Sequence, residues 1–158
     1  ISSYNLFNYL LPGILFAVLT ERITTYKIIQ SDIIIGLFLY YFFGLVISRI
    51  GSLILEPAMK KTSFVTFASY KDYIRVSSKD PILETLSEVN NMYRTLCALF
   101  LVILATKAFE TVTMWLNMSV HTSAFFLLVA LLVLFALSYR KQTKYITQRV
   151  EAGKDEHC

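Results

Sequence analysis

Charge is nearly absent from four stretches of this chain, and that pattern constrains the fold more than any single motif. The stretches are residues 6–20, 33–55, 92–108 and 122–139, and the third contains an uncharged core from Thr95 to Thr106. A helix that crosses a bilayer needs about 20 mostly apolar residues, with a range of roughly 17–25. Only 16% of the 158 residues are charged, whereas a soluble domain carries about 25%. Mean hydropathy is +0.57. These features predict an all-α integral membrane protein, one membrane domain over 1–158 with four transmembrane helices per subunit. What lies between the spans is short: a water-facing segment 56–91 and a tail 140–158.

The third span belongs to a longer predicted helix, Pro81 to about Ala108. Ile82, Leu86, Val89, Tyr93, Leu96, Phe100 and Ile103 alternate spacings of four and three. That is the seam of a coiled coil. It begins among Asp80, Glu84 and Glu88 and continues into the uncharged run. A stripe that ignores the change from water to lipid predicts packing against partners in both. Asp80-Pro81 supplies the start signal, a capping residue followed by proline at the first helical position.

The remaining spans carry simpler signals. Pro12-Gly13 lies inside the first and predicts a short, bent helix, crossing or interfacial. Gly36, Tyr40, Gly44, Ser48 and Ser52 form an i+4 ridge on the second, and small residues on a ridge let helix backbones approach closely in lipid. Glu56-Pro57 is read as the end of that helix. Phe64, Phe67, Tyr70 and Tyr73 recur every three residues, which suits a short surface helix, although Ser63–Phe67 alone also fits a strand. Trp115 marks an interface. Thr122 or Ser123 is the expected cap of the last span, and the end of the polar tail is expected to be disordered. The first span lacks the basic n-region and cleavage site of a signal peptide.

Orientation follows from the fifteen basic residues. Seven lie in 49–94 (Arg49, Lys60, Lys61, Lys71, Arg75, Lys79, Arg94) and five in the tail (Arg140, Lys141, Lys144, Arg149, Lys154). Arg22 and Lys27 occupy the loop after the first span, and Lys107 follows the third. Four spans put the two larger groups on one side, and the positive-inside rule makes that side, with both termini, cytoplasmic.

Three constellations admit a functional reading beside a structural one. Lys60, Lys61, Lys71, Arg75, Lys79 and Arg94, interleaved with aromatics, suit a phosphorylated ligand: cations neutralise phosphates and rings stack on bases. The same residues suit contact with anionic lipid headgroups. Asn90 and Asn91, with Tyr93 and Arg94, stand where the seam enters the bilayer; they line an axial passage or set the register between helices. Glu110 pairs with Lys107 at i, i+3, or forms a ring at a pore mouth that favours cations.

No catalytic constellation is present. The sequence has no GxGxxG, HExxH, CxxC or GxSxG pattern, so no catalytic residue, metal ligand or cofactor is assigned. Cys97 and Cys158 make neither a disulfide framework nor a metal pattern.

Two segments, Phe38-Leu-Tyr-Tyr-Phe-Phe-Gly-Leu-Val-Ile-Ser-Arg-Ile-Gly-Ser-Leu-Ile-Leu-Glu-Pro57 and Leu86-Ser-Glu-Val-Asn-Asn-Met-Tyr-Arg-Thr95, resemble small four-span membrane effectors of bacterial anti-phage defence, of the Hailong type. The resemblance implies a homo-oligomeric ion channel in the bacterial inner membrane, paired with a nucleotidyltransferase encoded nearby. It also implies an oligonucleotide signal acting at the cytoplasmic basic region. The residues themselves add a chain too small to enclose a pore alone and a helix with a seam for self-association, for which closed symmetry is the usual outcome. The expectation is a ligand-gated homotetramer with the Pro81–Ala108 helix around the axis. A non-conducting membrane adaptor and a holin-like toxin are the rival expectations.

Overall fold

All four apolar stretches become helices, and each runs further than its uncharged residues do. In the computed structural model, which describes residues 6–77 and 80–155, the order is α1 (Leu6–Ile23), α2 (Ile33–Lys61), α3 (Tyr70–Ser77), α4 (Pro81–Trp115) and α5 (Val120–Asp155). All but α3 are long and apolar enough to cross a membrane. No strand occurs among the described residues, so Ser63–Phe67 is turn and irregular chain.

Both internal prolines are absorbed in the same way. A proline ring collides with the carbonyl four residues earlier and offers no N–H. Five-residue π-helical segments precede each one, Leu6–Leu10 before Pro12 and Gly51–Leu55 before Pro57. A π turn bonds five residues apart and widens the helix, which relieves the collision. Glu56-Pro57 therefore does not end α2, contrary to the sequence expectation. The helix continues to Lys61 and closes with Ser63 in the left-handed region (φ 56°), where the Phe64 N–H reaches Met59 O at 3.0 Å. That is a Schellman-type end. Asn117 (φ 49°) does the same for α4, with Met118 N–H on Thr113 O at 3.0 Å.

The start signals are mostly as expected. Asp80 Oδ1 accepts from Ile82 N–H at 2.9 Å, and Asp32 Oδ1 accepts from Ile34 and Ile35. The cap of α5 is Ser119, whose Oγ accepts from Thr122 N–H at 3.1 Å, so the helix starts earlier than the expected Thr122 or Ser123. The polar tail continues α5 as helix to Asp155, and residues 156–158, at the end expected to be loose, lie outside the described residues. Lys, Gln, Arg and Glu are good helix formers, and extending an existing helix carries no nucleation cost.

The core joins α1, α2 and α4 through Phe16, Ile47, Ala98, Leu99 and Ile103. Helices α1 and α2 touch backbone to backbone. A Cβ on Gly13 would lie 1.7 Å from Tyr40 O, and one on Gly44 would lie 1.7 Å from Tyr9 O. The ridge read from the sequence faces this contact, with Gly36, Gly44 and Ser48 buried. Helix α5 is different. Only Ser138 is buried along its apolar stretch, and it meets α2 chiefly at Phe42–Phe135, ring centroids 6.1 Å apart, and at the basic end.

The seam of α4 divides. Ile82, Leu86, Val89, Tyr93 and Phe100 are exposed, whereas Ile103 is in the core and Leu96 packs against it. A straight helix drifts about 20° per heptad from a 3.5-residue repeat. One edge of the stripe, Ile82, Val89, Leu96 and Ile103, thus turns into the chain's own bundle, while the other, Leu86, Tyr93 and Phe100, stays exposed. At about 1.5 Å per residue, α4 is roughly 52 Å long and α5 roughly 54 Å, well beyond the ~30 Å of a bilayer's hydrocarbon. Both overshoot at the same end, where α3 packs on them and Tyr70 lies 5.3 Å from the Tyr145 ring.

Candidate functional site

Pro57 creates the site at the basic end. In the π segment Glu56 N–H bonds Gly51 O, five residues back. The next donor in that register would be residue 57 bonding Ser52 O, and proline has none. The orphaned Ser52 carbonyl accepts instead from Lys141 Nζ of α5 at 2.7 Å, and Ser52 Oγ accepts from the same ammonium at 2.8 Å. A gap in one helix's ladder is thereby filled by a side chain from another.

One turn on, Glu56 is buried at 8% exposure and gathers cations from three helical segments. Arg94 Nη1 of α4 donates to Oε2 at 2.6 Å and Lys60 Nζ donates to Oε1 at 2.9 Å. Lys141 Nζ stands 3.8 Å from Oε1. Lys60 also sits over the Phe67 ring, 4.1 Å from its centroid, a cation–π contact. One carboxylate faces three cations, and Arg49 lines the adjoining cavity with Ser52, Ser138, Lys141 and Tyr145. The local balance is positive, which favours an anion nearby. That cavity measures about 20 Å³, room for a water and far too small for a nucleotide.

Two further polar groups lie deeper and at the opposite end. Thr95 Oγ1 is buried within reach of Asn91 O (2.8 Å), Asn8 Oδ1 (3.1 Å) and Ser48 Oγ (3.4 Å). A hydroxyl has one proton, so Thr95 donates either to Asn91 O or to Asn8 Oδ1, the latter joining α1 to α4, while the Ser48 hydroxyl of α2 can donate to it. At the far end Glu110 is buried at 1% exposure. Its Oε1 accepts from Thr25 N–H (2.6 Å) and Thr25 Oγ1 (2.7 Å), and its Oε2 from Lys107 Nζ (2.6 Å). Glu21 Oε2 accepts from Ile28 and Ile29 N–H in the same loop. The loop after α1 is clasped by two carboxylates.

The sequence-derived candidates scatter around these features. Lys60 and Arg94 are brought together, on Glu56. Lys61 and Arg75 are exposed. Lys79 and the Lys71 side chain lie outside the described residues. Asn90 and Tyr93 are exposed and Asn91 is half-buried. The Lys107–Glu110 ion pair is present, and the Glu110 carboxylate turns into its own chain with its oxygens occupied by Thr25 and Lys107. No group of three or more His, Cys, Asp or Glu converges among the described residues.

No family model matches the chain, and no curated protein or solved structure matches it. The site is therefore described by its own chemistry. Sequence reading missed Ser52, Glu56 and Lys141 as partners. A signal was present: a proline five residues after Ser52 announces an unpaired carbonyl, and Glu56 is one turn from Ser52 on the same face.

Proposed function

We propose that the protein is a homo-oligomeric channel of the bacterial inner membrane, assembled along α4 and controlled by an anionic nucleotide or oligonucleotide at its cytoplasmic basic end. The observation that carries this reading is the exposed half of the seam. Ile82, Leu86 and Val89 are 66%, 60% and 39% exposed. They share their part of α4 with Glu84, Glu88, Asn90 and Arg94, a stretch too polar to sit in hydrocarbon. Lipid cannot cover apolar side chains there, and a continuous apolar stripe in water marks a protein contact. Because the stripe is a heptad seam, a second copy of the same helix fits it. The cavity beside Glu56 has room for no more than a water, so on this reading a nucleotide lies between subunits, against cations such as Lys60 and Lys61. The resemblance to anti-phage effectors supplies the ligand class. A ligand shifts a closed–open equilibrium only through its differential affinity for the two states.

The tests separate assembly from conduction. Leu86→Glu with Val89→Glu should lower the particle mass of the purified protein in detergent; an unchanged mass removes the seam as the interface. Planar-bilayer recording of the wild type should give a ligand-dependent current, and its absence in an assembled particle would favour a non-conducting adaptor. Current without any ligand would favour a holin-like pore. Lys60→Glu with Lys61→Glu, or Arg75→Glu, should abolish the ligand response while the assembly persists; an intact response in those variants removes the site assignment.

A further inference from the structure

A groove separates α2 from α5 just beside the Lys141–Ser52 contact. Its volume is about 650 Å³, within the range of small-molecule sites. Leu53 and Ile54 form one wall. The other wall is one face of α5, where the lining changes character along the helix. Ala130, Val133, Leu134 and Leu137 are followed by Arg140, Lys141 and Lys144. The apolar part runs about 10 Å along the helix before the cations begin.

We propose that this groove binds an anionic phospholipid of the cytoplasmic leaflet, with acyl chain against Ala130–Leu137 and the phosphate between Arg140 and Lys144. The occupant follows from chemistry and depth. Val133 and Leu137 are 51% and 46% exposed, and Ile54 is 62% exposed, at a level where the surroundings of a spanning helix are hydrocarbon. Arg140 and Lys144 are exposed at i, i+4 on one face, so both ammonium and guanidinium groups can reach one headgroup. Neither has an acidic partner among the described contacts, whereas Lys141 is already held by Ser52 and lies 3.8 Å from Glu56. Basic pockets between spanning helices on the cytoplasmic side suit such headgroups. A soluble phosphate ligand would leave the apolar wall unused, and a zwitterionic lipid would gain little from two cations. The Ser52 carbonyl exposed by Pro57 has a further effect. It holds Lys141 against α2 and so fixes the spacing of the two walls where the headgroup would sit. This site is separate from the proposed nucleotide site and does not depend on conduction.

The test uses the full chain, purified in mild detergent and titrated with phosphatidylglycerol or phosphatidylcholine under native mass spectrometry. Phosphatidylglycerol should be retained preferentially. Arg140→Gln with Lys144→Gln should weaken its binding about thirtyfold, since each basic residue near an anionic surface contributes about a factor of five, and should leave phosphatidylcholine binding unchanged. Ala130→Trp, which fills the apolar wall, should displace phosphatidylglycerol without changing the particle mass. Equal retention of the two lipids overturns the proposal, as does unaltered phosphatidylglycerol binding in the double variant. A drop in particle mass with Ala130→Trp also overturns it, because the groove would then seat a neighbouring subunit.

Discussion

Replacing Lys141 by methionine tests the idea that a side chain repairs the ladder broken by Pro57. Methionine keeps the unbranched apolar stem of the lysine as far as Cε and removes the donor. Ser52 O then loses its 2.7 Å partner and Ser52 Oγ its 2.8 Å partner. Leaving a buried carbonyl without a hydrogen bond costs about 1–3 kcal/mol, although interhelical polar contacts in membrane proteins average only about 0.6 kcal/mol with a maximum near 1.7. Glu56 keeps its two nearer cations, Arg94 and Lys60, so little is added from that side. The expected loss is about 1–2 kcal/mol, read by reversible unfolding in mixed micelles. Pro57→Ala supplies the matching control, because alanine returns an N–H that can reach Ser52 O. In that background Lys141→Met should cost about 1 kcal/mol less. Neighbouring residues that share a partner show such coupling, whereas independent sites add within about 0.3–0.5 kcal/mol. Strict additivity of the two substitutions would refute the repair argument.

Other substitutions test the rest of the bundle. Gly44→Ala puts a Cβ 1.7 Å from Tyr9 O, so α1 and α2 must separate; a loss of about 3 kcal/mol or more is expected in the same unfolding assay, at or above the usual cost of overpacking, and Gly13→Ala should behave alike. Glu110→Ala strips three donors of their acceptor, so the loop after α1 should show faster hydrogen exchange and stability should fall; unchanged exchange at Thr25 would remove Glu110 as the clasp. Thr95→Val keeps the shape and deletes the hydroxyl at the α1–α2–α4 contact, for a loss of about 1 kcal/mol, with stability equal to wild type as the contrary result.

Where the physics was local, the sequence declared the structure. Four apolar runs, the Asp80-Pro81 start and the small ridge containing Gly44 and Ser48 all reappear, because caps, helix periodicity and close backbone approach depend on a few residues each. The departures arise where neighbours decide. Pro57 reads as a terminator on its own, and only the π turn before it lets α2 continue. Ile103 extends the seam by spacing alone, yet helical drift carries it into the chain's own core. Glu110 reads as an exposed ion pair because nothing in its surroundings announces Thr25, which arrives from 85 positions away. The basic site was half legible: Lys60 and Arg94 stood out as cations, but the acid that collects them looked like the end of a helix.

The unequal attachment of α5 has a mechanical consequence. Three helices share one interior and would have to be pried apart together. The fourth is held near one end by an ammonium group and a few rings, so its far half can lean away at small energetic cost. The bundle is a stiff three-helix frame with a compliant outer stave, and Lys141 is its pivot.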